Sequence, residues 1–112
     1  FGKGGKRSDL GNQYFRSMWE ANFARVLNYE GKIWEYESVT FQLTSSMSYT
    51  PDFLVEGIFY EIKGIESPQF IEKFALFKKI HPDIKIHVIR GPEYYEMSKL
   101  YKKTIIKEWE GK

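Results

Sequence analysis

The chain has 112 residues, 42% hydrophobic and 18% aromatic, which is enough for one hydrophobic core, too few for two, and unlike a disordered composition. It has no cysteine, so disulfides, thiolate zinc sites and cysteine nucleophiles are excluded, metal ligation falls to oxygen and histidine, and a reducing cytoplasm fits. Seventeen Lys and Arg against fifteen Asp and Glu leave a formal net charge of +2, a mildly basic balance that permits a nucleic-acid partner without requiring one.

The start, Phe1-Gly2-Lys3-Gly4-Gly5-Lys6-Arg7, lacks the apolar core of a signal peptide. No later apolar run approaches the roughly 20 residues that span a bilayer. A soluble, cytoplasmic protein with no membrane partner is expected, and because the first residue is not Met, a trimmed N-terminus with residues upstream is expected too. Residues 1–12 are glycine-rich and basic with little to bury, and read as a flexible basic arm ahead of a single domain over 13–112. Lys3, Lys6 and Arg7 in this arm are candidate phosphate contacts or simply solvated charge, and the same two readings hold for Lys99, Lys102, Lys103 and Lys107 near the other end.

From Gln13 to Tyr29 the residues Phe15, Met18, Trp19, Phe23, Val26 and Leu27 recur at three- and four-residue spacing, which predicts an amphipathic helix ended by Gly31. Ile33–Tyr36 and Val39–Leu43 are rich in β-formers, Ser45–Ser48 reads as a loop, and Pro51–Val55 and Ile58–Lys63 read as two strands joined by Glu56-Gly57 in a two-residue hairpin turn. Ser67-Pro68 starts a second helix with Phe70, Ile71, Phe74 and Phe77 on an apolar stripe to about Ile80. His81-Pro82-Asp83 ends it, Ile84–Ile89 reads as a buried strand, and Pro92 opens a last helix running past Leu100. The fold class is α/β, a mixed central sheet of four to five strands flanked by helices.

A two-residue turn at Glu56-Gly57 pairs Val55 with Ile58, Leu54 with Phe59, Phe53 with Tyr60 and Asp52 with Glu61. Directly opposed residues of an antiparallel pair lie about 4.5–5.5 Å apart and share a face, so two carboxylates repel there unless a cation intervenes. Lys63 falls on the same face as Glu61 by the period-two alternation. Two acids and an ammonium suit a hard cation, one or two carboxylates with waters and a substrate phosphate completing its shell. The alternative is a surface hairpin with an ordinary Glu61–Lys63 ion pair and Asp52 as a turn residue. The apolar surroundings, Phe53-Leu54-Val55 and Ile58-Phe59-Tyr60, favour the first reading, because unpaired charge there is costly.

The segment Tyr49-Thr50-Pro51-Asp52-Phe53-Leu54-Val55, followed by Tyr60-Glu61-Ile62-Lys63-Gly64, resembles the Pro-Asp…(Asp/Glu)-x-Lys signature of the PD-(D/E)xK nuclease superfamily. The order of predicted elements is similar to that superfamily's restriction-endonuclease-like α-β-β-β-α-β core, over residues 13 to 90. Gly5-Lys6-Arg7…Asp9-Leu10-Gly11 ahead of Arg16-Ser17-Met18-Trp19-Glu20-Ala21-Asn22 resembles small endonucleases encoded by bacteriophages. The resemblance implies a Mg²⁺-dependent endonuclease hydrolysing DNA phosphodiester bonds, with Mn²⁺ able to substitute. It implies Asp52, Glu61 and the Ile62 carbonyl as metal ligands, Lys63 positioning the nucleophile, and Glu20, mid-helix, assisting through metal or water. It further implies DNA as partner, a homodimer for concerted cutting of two strands, and the host-cell cytoplasm.

Other readings stay open at this stage. Arg16 stands four residues before Glu20, so a helical ion pair is available to both; Arg16 and Arg25 are candidate phosphate contacts or plain surface. A non-cleaving nucleic-acid-binding or assembly module would keep the same fold, and within the enzyme class a Holliday-junction resolvase would share the core. His81 and His87 have no partner at metal-ligand spacing, Ser45, Ser46 and Ser48 form no nucleophile elbow, and Trp19, Trp34 and Trp109 are core residues or base-stacking platforms.

Overall fold

The computed structural model describes residues 4–105. In chain order its elements are β1 (Gly5–Arg7), a 3-10 turn (Ser8–Leu10), β2 (Gln13–Phe15), α1 (Met18–Tyr29), β3 (Trp34–Tyr36), β4 (Phe41–Gln42), β5 (Ser48–Tyr49), β6 (Phe53–Val55), β7 (Ile58–Ile62), α2 (Pro68–Ile80), β8 (Ile86–Ile89) and α3 (Gly91–Leu100). Among the described residues they fall into two compact units, 4–33 together with 90–105, and Trp34–Ile89. Lys3, Lys107 and Trp109 lie outside the described residues.

In the first unit the expected flexible arm is instead a strand and a turn. β1 pairs antiparallel with β2, Gly5 opposite Phe15 and Arg7 opposite Gln13, so no boundary falls between residues 12 and 13. Gly11 and Asn12 reverse the chain with φ of 68° and 60°, and the ribbon buries Leu10 and Phe15. Phe15 has helical spacing from Trp19 but sits on β2, because the helix starts later. Ser17 is its N-cap, with Oγ accepting the Glu20 N–H at 3.2 Å. The far end closes as a Schellman motif: Lys32 N–H donates to the Leu27 carbonyl, Gly31 N–H to the Asn28 carbonyl, and Gly31 takes φ 72°.

A polar network runs through this unit. Arg25 grips Asp9 with Nε and Nη2, at 2.8 and 3.2 Å, and donates from Nη1 to Asn22 Oδ1 at 2.7 Å. Asn22 Nδ2 donates in turn to the Tyr94 hydroxyl at 3.0 Å, and the Tyr94 ring stacks on Trp19 with centroids 4.1 Å apart. Trp19 is thereby a core residue.

The second unit holds a four-stranded mixed sheet in the order β3-β6-β7-β8, antiparallel except for the β7–β8 pair. α2 is the crossover between the two parallel strands. Its N-cap is Ser67, whose hydroxyl accepts the Phe70 N–H at 3.1 Å, with Pro68 opening the first turn. Phe70 and Phe77 are buried in a cluster with Leu43 and Tyr49; Ile71, read as part of the same stripe, is exposed. Glu56 and Gly57, with φ of 51° and 82°, form the expected two-residue turn, and the register Val55–Ile58, Leu54–Phe59, Phe53–Tyr60 follows. β8 is an edge strand with Ile86 and Val88 half-buried and His87 exposed, so it is not covered on both faces as its apolar run suggested. The Val39–Leu43 and Ser45–Ser48 segments close into a separate small ribbon, β4 with β5.

With the two ribbons set aside, the chain order α1-β3-β6-β7-α2-β8 is the expected α-β-β-β-α-β, an α/β fold with a mixed sheet. Among the described residues no helix is long and apolar enough to cross a membrane.

The Arg25–Asp9 pair makes a stability prediction. Arg25→Ala is expected to cost about 2 kcal/mol in urea unfolding, the worth of a buried charge-assisted pair with one half-exposed partner. The hydrogen bond from Arg25 holds the Asp9 carboxyl below its ordinary value of 3.8. A folded value below the unfolded one means stabilisation present above that value and lost as pH falls through the folded one. Asp9→Asn is therefore expected to flatten the acid limb of the stability–pH curve.

Candidate active site

The β6–β7 hairpin puts its charged residues at the end away from the turn. Asp52, behind Pro51 and just ahead of β6, is buried. Its main-chain carbonyl accepts the Glu37 N–H at 2.8 Å, and its Oδ2 accepts the Ile62 N–H at 2.7 Å. The paired ladder thus ends at Phe53–Tyr60, and the acid one step beyond closes it through its side chain. Lys63 N–H donates to the Ile89 carbonyl at 2.9 Å. Because that peptide is planar and trans, the Ile62 carbonyl points the opposite way, toward the β6 side where Asp52 lies.

Glu61, on β7, is buried to 4% exposure. Its Oε1 accepts the Tyr49 hydroxyl at 2.6 Å, and its Oε2 lies 3.2 Å from Lys63 Nζ. That pair confirms that Glu61 and Lys63 share a face. The Lys63 ammonium also sits 4.4 Å over the Phe70 ring. Burial pushes the Glu61 carboxyl up, against the lowering by Tyr49's hydrogen bond and by Lys63. Burial, then the Glu61 charge, then that of Asp52 push the Tyr49 phenol far above its ordinary value, so it stays a donor. Asp52, Glu61, Ile62 and Lys63 are therefore brought together, with Tyr49 among them.

This donor set fits a hard cation. Asp52 and Glu61 are both buried, Lys63 pairs with Glu61, and burial holds the Glu61 carboxyl above its ordinary value despite that ammonium and the Tyr49 hydroxyl. Among the described residues no cluster of three or more His, Cys, Asp or Glu side chains is placed to hold a metal. Two acids and a carbonyl, leaving further positions to water or phosphate, is the Mg²⁺ pattern rather than that of a closed protein cage.

Glu20 belongs to the first unit. It lies in the first turn of α1 rather than mid-helix, buried, with Oε2 accepting the Ser17 hydroxyl at 3.2 Å. Arg16 stands ahead of the cap, not on the helix, and is exposed, as is Lys6 on β1. Arg7 and Arg25 are corrected: both side chains are buried and engaged by the protein, Arg7 Nη1 with the carbonyls of Gly5 and Phe15 at 2.8 and 3.2 Å, Arg25 with Asp9 and Asn22. Neither presents its charge to a phosphate. Lys99, Lys102 and Lys103 are exposed, Lys99 lying 3.7 Å from Glu96.

Sequence reasoning missed two residues. Tyr49 opens the very segment that carries Asp52, and its hydroxyl needs a partner wherever its ring is buried. Ser17, three residues before Glu20, is the Ser-x-x-Glu pattern of a capped helix start.

A mixed sheet entered by an antiparallel hairpin, with Pro-Asp at the mouth of one strand and Glu-x-Lys at the end of the next, is the arrangement of the PD-(D/E)xK nuclease class. The chain belongs to the Phage endonuclease I family, whose model matches residues 3–111. It is 35% identical over 92 residues to Endonuclease I of Escherichia phage T7, covering 79% of this chain and 60% of that protein. It is 34% identical over 101 residues to Endodeoxyribonuclease 1 of Enterobacteria phage T3, covering 85% and 64%. The chain thus spans less than two thirds of the length of these relatives. No solved structure matches it significantly.

The two roles of Asp52, holding a main-chain amide and supplying charge, are separable. Asp52→Ala leaves the buried Ile62 N–H without its partner and is expected to cost about 1–3 kcal/mol in urea unfolding. Asp52→Asn keeps an acceptor there and is expected to stay within about 1 kcal/mol of wild type.

Proposed function

We propose that this chain is a metal-dependent endonuclease that hydrolyses DNA phosphodiester bonds. The observation that carries the reading is the pair of buried acids, Asp52 and Glu61, with the partly exposed Lys63 at the end of the β6–β7 hairpin, Asp52 tied to the strand amide and Glu61 to the lysine. The names of the phage relatives, an endonuclease and an endodeoxyribonuclease, support the reaction and the polymer.

In this reading Asp52, Glu61 and the Ile62 carbonyl would hold Mg²⁺, with Mn²⁺ able to take its place. The cation, when bound, supplies charge to offset the two acids and the anionic phosphate and makes nearby water more acidic. Lys63 orients the attacking water, and its ammonium, fixed by Glu61 and the Phe70 ring, needs no rearrangement to do so. Water attacks phosphorus in line; the new P–O bond forms as the ester P–O bond opposite it breaks, the attacking water gives up a proton to solvent, and the departing oxygen takes one up from solvent. Glu20 is assigned a supporting part on the resemblance of its helix. Lys6 and Arg16, both exposed, are the proposed backbone contacts, with Lys3 beside them in sequence. Their partner is DNA in the host-cell cytoplasm, and a homodimer supplies two sites for concerted cutting.

The test is cleavage of linear duplex, nicked circle, flap and four-way junction with Mg²⁺, Mn²⁺ or EDTA. Wild type is expected to cut at least one substrate with either metal and none with EDTA, and Lys63→Ala to lose on the order of 100-fold or more in rate. A folded wild type that cuts nothing with either metal contradicts the assignment and favours a non-cleaving binding module.

A further inference from the structure

We propose that Tyr49 is a positioning residue for the cation site: its hydroxyl fixes one oxygen of Glu61 and so sets how the carboxylate is presented. The inference rests on the reading of Asp52 and Glu61 as metal ligands.

Tyr49 lies on β5, an element that carries none of the acids or the lysine. Its ring is packed against those of Phe70, Phe74 and Phe77, with centroids 6.4, 6.2 and 5.0 Å away, and the residue is only 4% exposed. A phenylalanine would fill this aromatic cluster equally well. What the hydroxyl adds is one bond, to Glu61 Oε1 at 2.6 Å.

A carboxylate on a glutamate stem has a broad terminal torsion. Glu61 is held at both oxygens, Oε1 by Tyr49 and Oε2 by Lys63 at 3.2 Å. The two restraints differ in stiffness. Lys63 hangs on a flexible four-carbon stem, whereas the phenol is rigid and locked among three rings. Tyr49 therefore sets the plane of the carboxylate, and Lys63 follows it. Outer partners of this kind typically change metal affinity or activity by about 10–100-fold when lost.

The experiment is Tyr49→Phe, which deletes the hydroxyl and keeps the ring, read by two Mg²⁺ titrations: the rise in Tm of the DNA-free protein, and the rate of plasmid cleavage. Both Mg²⁺ midpoints are expected to move up by about 10-fold or more, while the rate at saturating Mg²⁺ stays within about threefold of wild type. Phe74→Leu, which disturbs the same cluster without touching the hydrogen bond, is expected to keep the wild-type midpoints. Unchanged midpoints in Tyr49→Phe overturn the proposal, as does an equal shift in Phe74→Leu, which would assign the effect to packing. A wild type with no response to Mg²⁺ in either titration overturns the metal site itself, an outcome distinct from a responsive wild type that Tyr49→Phe matches.

Discussion

A hairpin closed by two residues in left-handed backbone, Glu56 and Gly57, leaves a single register open to the strands it joins. Because side chains alternate along a strand, a slip of one residue would send Glu61 and Lys63 to the opposite face and Ile62 to theirs. With the turn fixed, Phe53 must oppose Tyr60, Asp52 must stand beside the last amide of β7, and Glu61 and Lys63 must share a side. The chemistry at the far end of the hairpin is thus set by the backbone conformation at its near end, three strand pairs away.

That placement works against stability. Glu61 is buried in an aromatic setting where its ionised form is disfavoured, and Asp52 is buried as well. Natural folds retain under-compensated charge at functional sites and rarely elsewhere. The protein limits the cost locally: Asp52 takes a main-chain amide, Glu61 a phenol and an ammonium. The contrast with Arg25 is instructive. Its charge is also buried, but it is matched by the Asp9 carboxylate and by Asn22.

The parts of this architecture that are written in local rules could be read from the residues alone. Glu56-Gly57 specifies its turn, Ser67-Pro68 its helix start and Gly31 its helix end, and the hairpin register follows without any tertiary information. The acids and Lys63 came with that register. What could not be read was decided by burial. Phe15 keeps helical spacing yet belongs to a strand because Ser17 caps the helix after it, and Arg7 sits in a glycine-rich basic stretch yet is covered by the ribbon that stretch forms. Charge in a sequence does not tell which side of the surface it will occupy; only the strand pairing of Gly5 with Phe15 turned Arg7 inward. Tyr49 was hidden for a related reason, since a tyrosine's hydrogen-bond partner lies across the fold rather than along the chain.

The proposed function requires Asp52 and Glu61 to act together as the ligands of one divalent cation. The most direct measurement is uptake of Mn²⁺ by the folded protein, followed by electron paramagnetic resonance of the free ion, for wild type, Asp52→Asn and Glu61→Gln. Wild type is expected to withdraw Mn²⁺ from solution at a saturable site that each variant loses while remaining folded. Variants that take up Mn²⁺ as wild type does, or a wild type that takes up none, would contradict it.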